Sequence, residues 1–164
     1  MLEIINNLRP FFENCYARIS VRQYSRLIKV SPPTASTLLS MYEKDGLLTK
    51  EKDRNYMMFR ANQKDNGFIM LSRIYWQQRL EKFVRGIESP DAVVLFGSLS
   101  KAEAKPDSDA DICIIGGEKK DIEKFMERTG RKIQVFWFDS LRDADKELRN
   151  NVINGHILSG RLEL

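Results

Sequence analysis

The fold of the C-terminal half can be predicted from one stretch, Ala92-Val-Val-Leu-Phe-Gly-Ser-Leu-Ser-Lys-Ala-Glu-Ala-Lys-Pro-Asp-Ser-Asp-Ala-Asp-Ile-Cys-Ile-Ile115. Two short apolar runs stand at its ends, and a polar insert with a proline separates them. Short apolar runs bounded by turn residues are typical of buried strands. We therefore predict strands over Ala92–Phe96 and 109–115, with a turn or two of helix from Leu99 to Ala104 between them.

The rest of this half continues the alternation of strands and helices. Residues 132–138 predict a third strand, and the apolar spacing predicts helices over 119–128 and 141–153. Residues 155–160 close the domain. The predicted fold class is therefore α+β or α/β, with helices packed against a small mixed sheet.

Two acidic residues stand at the start of the second predicted strand. Residues at i and i+2 of a strand point to the same face, so Asp109 and Asp111 can converge on one divalent cation. Their hard carboxylate oxygens suit Mg²⁺ or Mn²⁺. Gly97-Ser98 leaves the first strand for a helix start, where backbone N–H groups favour an anion and glycine allows a phosphate to come close. This pattern predicts a phosphate cradle beside a cation site.

Gly97-Ser98, ten intervening residues and Asp109-x-Asp111 resemble the motif of the minimal nucleotidyltransferases of the DNA polymerase β superfamily. The resemblance covers about residues 88–160. It implies that Asp109 and Asp111 are catalytic metal ligands, and that Gly97, Ser98 and Lys101 hold the triphosphate of an NTP, with ATP as the first expectation. The implied reaction is transfer of a nucleoside monophosphate to an acceptor. A protein acceptor or a separate helical partner protein is also expected from this resemblance.

The sequence departs from that family at the third carboxylate. Members that catalyse carry it on the next strand, where Gln134 stands here. An amide cannot take a proton from an attacking hydroxyl and is a poor ligand for a second metal. Asp139 could substitute, but we expect it to cap the following helix, with Ser140 as the competing cap. The only histidine, His156, is interpreted as structural.

Charge divides the chain. Residues 1–80 carry 13 Lys and Arg against 7 Asp and Glu, a net of +6, whereas residues 81–164 carry 14 against 16, a net of −2. A basic half suits a polyanion, because cationic side chains near phosphates release condensed counterions. Charge alone leaves a second interpretation open, in which the excess serves solubility only.

The basic half reads as helices followed by a hairpin. Apolar spacing predicts helices over 2–13, with Pro10 disturbing the last turn, and over 21–28, with Tyr24, Leu27 and Ile28 inward. A third helix starts after Ser31-Pro-Pro and stops at Gly46. Residues 47–49 and 56–60 predict two strands, and the charged residues 50–55 predict the tip between them.

Residues 15–62 resemble a winged helix-turn-helix, a DNA-binding family. A recognition helix presents small or polar side chains so that its backbone can approach base edges in the major groove. The residues expected to contact double-stranded DNA are Thr34, Ser36, Thr37, Ser40 and Lys44 on the third helix, and Lys50, Lys52 and Arg54 on the hairpin. Winged helices commonly bind as homodimers. The alternative is a winged helix used for protein contacts only.

The expected organisation is a winged helix-turn-helix domain over residues 1–65, a linker helix over 66–88 and a nucleotidyltransferase-like domain over 89–164. Two functions follow. One is a nucleotidyltransferase that carries a DNA-binding module, and the other is a transcriptional regulator whose degenerate transferase domain senses nucleotide or mediates dimerisation.

Composition bounds the setting in which either function would operate. The chain has 164 residues, of which 42% are apolar, which excludes a mainly disordered protein. No apolar run approaches the ~18 residues that span a bilayer. The start shows neither a basic region nor a small-residue cleavage site, and Cys15 and Cys113 are interpreted as reduced thiols. We therefore expect a cytoplasmic protein without a membrane partner.

Overall fold

The computed structural model describes residues 2–118 and 130–163, so the helix predicted over 119–128 lies outside the described residues. Internal contacts divide the chain into two compact units, and neither is a single stretch of sequence. The first unit comprises Met1–Tyr75 and Ala102–Pro106. The second comprises Trp76–Lys101 and Asp107–Leu164.

Three helices open the first unit: α1 (Leu2–Glu13), α2 (Val21–Ile28) and α3 (Pro32–Lys44). Ser20 caps α2 in a capping box with Gln23, and Ser31 caps α3, whose first turn contains the prolines. Pro10 does not end α1, which continues to Glu13. The helices share an apolar core that includes Leu8, Phe11, Phe12, Tyr24, Leu39 and Tyr42, all at most 1% exposed.

The prediction that Leu27 points inward is wrong, because this side chain is 46% exposed. The buried side of α2 carries Tyr24 and Ser25, with Val21 and Ile28 half-buried beside them. Leu27 falls outside that stripe, since each residue turns the helix by about 100°.

A three-stranded antiparallel sheet completes this part of the chain, with β1 (Ile19–Ser20), β2 (Leu48–Asp53) and β3 (Tyr56–Ala61) in the order β1-β3-β2. Asp53 pairs with Tyr56, so only residues 54 and 55 form the turn. The predicted tip over residues 50–55 was therefore too long. The two strands keep pairing beyond the apolar core, where exposed charged side chains hide the strand pattern.

Helix α4 (Asn66–Arg85) follows, and it ends three residues before the end of the linker helix predicted over 66–88. The Asp65 carboxylate accepts a hydrogen bond from the Phe68 N–H at 2.8 Å and so satisfies one free donor of the first turn. Phe68 and Tyr75 are buried in the first unit, and Trp76, Leu80 and Phe83 are buried in the second. The division between the units falls within this helix.

The second unit contains a four-stranded mixed sheet, which confirms the predicted fold class. Its strands are β4 (Ala92–Phe96), β5 (Ala110–Ile115), β6 (Ile133–Phe138) and β7 (His156–Gly160), in the order β6-β5-β4-β7. β4 runs antiparallel to both β5 and β7, whereas β5 and β6 are parallel. One face packs through Val94, Phe96, Cys113 and Ile115 against Leu141, Ala144 and Val152.

Three details of this unit differ from the predictions. Helix α5 covers only Gly97–Ser100, because the backbone of Ala102 turns into the left-handed region with φ 56°. β5 begins at Ala110, so Asp109 lies just before the strand. The last predicted helix is split into a 3₁₀ turn (Leu141–Asp143) and α6 (Lys146–Ile153).

Separate caps explain the split. Ser140 caps the 3₁₀ turn, and Asp145 caps α6 by accepting hydrogen bonds from the N–H groups of Glu147 and Leu148. The expectation that Asp139 caps the helix is wrong, because Ser140 does so. In the described part of the chain, no helix is long and apolar enough to cross a membrane.

Candidate active site

Gly97 brings the backbone after β4 close to a carboxylate. Its φ of 70° lies in the left-handed region, which strongly favours glycine. A Cβ atom at this position would overlap the Asp111 carboxylate. The residue therefore makes the turn from β4 into α5 and lets the backbone lie directly against an acidic side chain, which occupies the position that a Cβ atom would need.

The two acidic residues interact. The pKa of Asp111 is raised above its ordinary value, first because the side chain is partly buried and second because the negative charge of Asp109 lies nearby. Asp109 does not belong to the strand, yet its charge still reaches the site. A cation bound between two such carboxylates would relieve both their repulsion and the cost of burial.

The sheet register places Asp111 between two neighbours. It pairs with Phe96, the last residue of β4, on one side and with Gln134 of β6 on the other. Gln134, the residue expected in place of a third carboxylate, is an exposed amide in register with Asp111. Asp139 follows Phe138, which pairs with Ile115 at the opposite end of β5. It lies about 16 Å along the strand from Gln134, at ~3.3 Å per residue, and so is not part of this cluster.

Ser98 lies within the short helix α5, and Lys101 follows its last residue. Ser98 is half-buried, whereas Lys101 is exposed and its Nζ lies 3.5 Å from Oδ1 of Asn151 on α6. The Ser100 hydroxyl is turned inward and donates to the Gly97 carbonyl at 2.9 Å, which supports the turn. Asn151 is a neighbour of the site that sequence reasoning missed, because an Asn on a helix carries no motif.

A protein-family model described as polymerase beta, nucleotidyltransferase matches residues 78–163, just over half of the chain. The chain belongs to this nucleotidyltransferase family. The match covers all the residues that converge around Gly97 and Asp111, and it supports a nucleotidyltransferase-type function. No curated protein sequence matches the chain.

The carboxylate pair of the nucleotidyltransferase domain fits one divalent cation better than two. Both oxygen donors suit a hard cation that takes its other ligands from water and nucleotide phosphates. Among residues 2–118 and 130–163, no group of three or more His, Cys, Asp and Glu side chains is placed to hold a metal together. The missing third acidic ligand is consistent with Gln134 at the neighbouring position.

His156 lies at the first residue of β7, with its Nε2 atom 3.0 Å from Oε1 of Gln77 on α4. It pairs along the sheet with Leu95. These contacts are consistent with the structural role that the sequence suggested.

In the first unit, α3 presents a polar face. All five predicted DNA contacts on it are exposed: Thr34, Ser36, Thr37, Ser40 and Lys44. Two of their hydroxyls serve the helix itself, since Thr34 Oγ1 is 2.8 Å from Ser31 Oγ and Thr37 donates to the Pro33 carbonyl at 3.1 Å. Within the described residues, Ser36 and Ser40 have no hydrogen-bond partner, so their hydroxyls are available to a ligand.

The basic residues of the hairpin differ in their surroundings. Lys50 donates to Glu43 at 3.1 Å, which neutralises part of its charge. Lys52 and Arg54 are exposed, and Arg54 occupies the turn with φ 54°. All three residues were predicted to lie in the hairpin tip over 50–55. Only Arg54 does so among them, because Lys50 and Lys52 lie on β2.

Proposed function

We propose that the nucleotidyltransferase domain binds a nucleoside triphosphate with one divalent cation and transfers its nucleoside monophosphate to a nucleophilic group of an acceptor, which attacks the α-phosphorus and displaces pyrophosphate. The observation that carries this proposal is the approach of Gly97 to the Asp111 carboxylate. It places the backbone turn that opens α5 directly against a proposed cation ligand, and the adjoining charge of Asp109 makes the pair attractive to a cation.

Each residue has a role in this proposal. Asp109 and Asp111 would hold Mg²⁺ or Mn²⁺, and Gly97, Ser98 and Lys101 would bind the triphosphate, with ATP as the first nucleotide to test. When bound, the cation neutralises charge on the phosphates during displacement. The chain itself would contribute by positioning the nucleotide. The left-handed turn at Gly97 would fix the backbone that faces the triphosphate, and Lys101 would supply a positive charge beside the phosphates.

Label transfer tests this proposal directly. The purified protein is incubated with each α-labelled NTP, with Mg²⁺ or Mn²⁺, and with nucleic acid and protein extracts of the host. We expect label to appear in one acceptor class and to vanish in Asp109→Asn and Asp111→Asn. Asp107→Asn is the matched control, because it removes the same charge from an exposed neighbour of the site. Transfer that persists in the double variant of Asp109 and Asp111 would exclude this assignment.

A second function is favoured by the position of Gln134 beside Asp111. Without a carboxylate there, the domain would bind nucleotide without transferring it, and the protein would act as a nucleotide-responsive transcriptional regulator. Gln134→Asp then creates transfer that the natural protein lacks, whereas Gln134→Asn, which keeps the amide, does not. Strong transfer by the natural protein would rule out this second function.

We further propose that the first unit is a winged helix-turn-helix that binds double-stranded DNA, with the exposed face of α3 in the major groove and Lys52 and Arg54 near the phosphates. The proposed domains are residues 1–65 for this module, 66–88 for a linker helix and 89–164 for the transferase. The support is the helical order, the antiparallel hairpin and the available hydroxyls of Ser36 and Ser40.

Charge-matched variants test the DNA interface. Ser36→Glu and Ser40→Glu place a carboxylate on the exposed face of α3, where we expect repulsion by phosphates to lower the affinity for duplex DNA at least about tenfold at low salt. Ser159→Glu adds the same charge to an exposed position of the second unit and leaves the affinity unchanged. Equal affinities for all three variants would refute the interface.

The proposed setting is the cytoplasm, with a homodimer on paired half-sites and a protein acceptor or helical partner as further candidates. The two free, buried cysteines, Cys15 and Cys113, suit a reducing compartment.

A further inference from the structure

The segment Ala102–Pro106 has an unusual position in the chain. It connects Lys101 to the residues that lead into Asp109 and Asp111, so both of its flanks belong to the nucleotidyltransferase domain. The segment itself folds with the first unit. Ala102 and Ala104 are completely buried, whereas Glu103, Lys105 and Pro106 are exposed.

Three contacts hold the segment in the first unit. The Gln63 amide Nε2 donates to the Ala102 carbonyl at 2.9 Å, and the Cys15 N–H donates to the Ala104 carbonyl at 2.8 Å. The Lys105 Nζ atom lies 5.6 Å from the centre of the Tyr16 ring, which is within the range of a cation–π contact.

Ala102 is held in a conformation that alanine disfavours. Its φ of 56° is in the left-handed region, where a Cβ atom crowds the following carbonyl. Such a residue persists only when its surroundings determine it, and here they include the bond from Gln63. Loss of that bond would remove one of the contacts that hold this backbone conformation. Lys101, the proposed phosphate ligand, is its direct neighbour in the chain.

The turn that holds Ala102 also holds the end of α3. Asn62 donates through its side-chain amide to the Gly46 carbonyl at 2.8 Å and through its backbone N–H to the Leu47 carbonyl at 3.0 Å. Gly46 follows α3 directly. The adjacent residues Asn62 and Gln63 thus connect the end of the proposed recognition helix to the residue after Lys101.

We propose that this route couples the two proposed sites, so that duplex DNA on the first unit changes the affinity of the transferase domain for its nucleotide. Gln63 is the positioning residue, since it acts on the nucleotide site through Ala102 and touches no ligand. The inference rests on the proposed function, because it needs both a DNA site and a nucleotide site. By linkage, the nucleotide must change the affinity for DNA by the same factor.

The test is a thermodynamic cycle on the full chain. The ligands are a short random-sequence duplex and, with Mg²⁺, an ATP analogue with a methylene bridge between its α and β phosphates. The dissociation constant of each ligand is measured with and without a saturating amount of the other. We expect a ratio of about fivefold or more, equal in both directions.

Isosteric variants locate the route. Gln63→Glu removes the donor to the Ala102 carbonyl and should bring the coupling ratio close to one while each ligand alone still binds. Gln78→Glu is the matched control, since it makes the same charge change at an exposed position of α4 and should keep the full ratio. Ala102→Gly adopts the same backbone conformation without strain. Because this conformation then no longer depends on the bond from Gln63, we expect the coupling ratio to fall in this variant as well.

The outcomes separate this inference from the proposed function. If the natural protein fails to bind either ligand, the proposed function is wrong and the coupling falls with it. If both ligands bind and the ratio is one, only the coupling is refuted. If Gln63→Glu and Ala102→Gly both keep the ratio of the natural protein, coupling exists but does not pass through this segment, which also overturns the inference.

Discussion

Replacing Gly97 by alanine should destabilise the candidate active site for two separate reasons. The first is backbone strain, because φ is 70° at this residue. Holding a residue with a Cβ atom in the left-handed region costs about 1–2 kcal/mol. The second is overlap of the new methyl group with the Asp111 carboxylate, and overpacking of this kind costs about 1–3 kcal/mol.

Gly130→Ala separates these causes. Gly130 lies in the same unit with a φ of 71°, but among the described residues its Cβ atom would meet the far end of the Arg79 side chain, which can move. This control should lose only the strain cost of about 1–2 kcal/mol, whereas Gly97→Ala should lose about 2–5 kcal/mol of the free energy of unfolding. Urea unfolding followed by tryptophan fluorescence suits the comparison, because Trp76 and Trp137 both belong to the second unit.

Nucleotide binding provides the second measurement. If the Asp111 side chain rotates away from the new methyl group, stability recovers towards that of Gly130→Ala, but the carboxylate then leaves the cation site. Calorimetric titration with ATP and Mg²⁺ should therefore show at least about a tenfold weaker affinity for Gly97→Ala than for the control, a loss of ~1.4 kcal/mol. Wild-type affinity together with the stability of the control would refute the proposed role of this approach.

Three further results are expected. Asp111→Asn raises the free energy of unfolding at neutral pH, because it removes a partly buried charge whose pKa is raised in the folded state. When urea unfolding is repeated at lower pH this gain becomes smaller, because the natural carboxyl group is then protonated and its burial no longer costs free energy. Burial raises the pKa of the Cys113 thiol to about 11, so alkylation at mildly alkaline pH, followed by mass spectrometry, should be slow in the native protein and fast in urea; equal rates would contradict the buried position. Fluorescence anisotropy at several salt concentrations gives the slope of the logarithm of the DNA binding constant against the logarithm of the salt concentration. Lys52→Ala and Arg54→Ala should each reduce the magnitude of this slope by about one, and Lys50→Ala should reduce it less because of its ion pair with Glu43. Equal slopes for the three variants would show that the ion pair opens on DNA.

The parts of the fold that the sequence predicted well are those in which burial dictates residue type. All five side chains of β4 are buried, so the strand reads as an unbroken apolar run with the bounds found in the structure. The position of Gln134 beside Asp111 was expected from the resemblance to the nucleotidyltransferases and not from burial, and the register of the parallel strands β5 and β6 pairs these two residues.

Elements that lie partly outside the core were predicted poorly. β7 was missed because it is a short strand at the edge of the sheet, pairs only with β4 and contains an irregular register between Val93 and Val94. Its apolar residue Ile157 is exposed and His156 is half-buried, so the residue types do not show the apolar and polar alternation that predicts a strand. β2 was predicted too short because its paired residues beyond Lys50 carry charges.

The candidate site could be predicted only as far as its motif extends. Glycine followed by serine and two spaced aspartates identified the cradle, since each residue type is needed for its own chemistry. The contacts of Lys101 with Asn151 and of Ala102 with Gln63 join residues far apart in sequence through hydrogen bonds. No local pattern in a single sequence encodes such pairs.

The segment Ala102–Pro106 belongs to the first unit although it lies in sequence between two stretches of the second, and this affects recombination within the gene. A crossover between codons 75 and 76 would give an N-terminal product in which the Gln63 amide and the Cys15 N–H have lost their acceptors. The C-terminal product would carry Ala102–Pro106 without the rest of the unit to which this segment belongs. A single crossover at this point would therefore exchange only part of the first unit. The two halves are expected to evolve as one unit of selection.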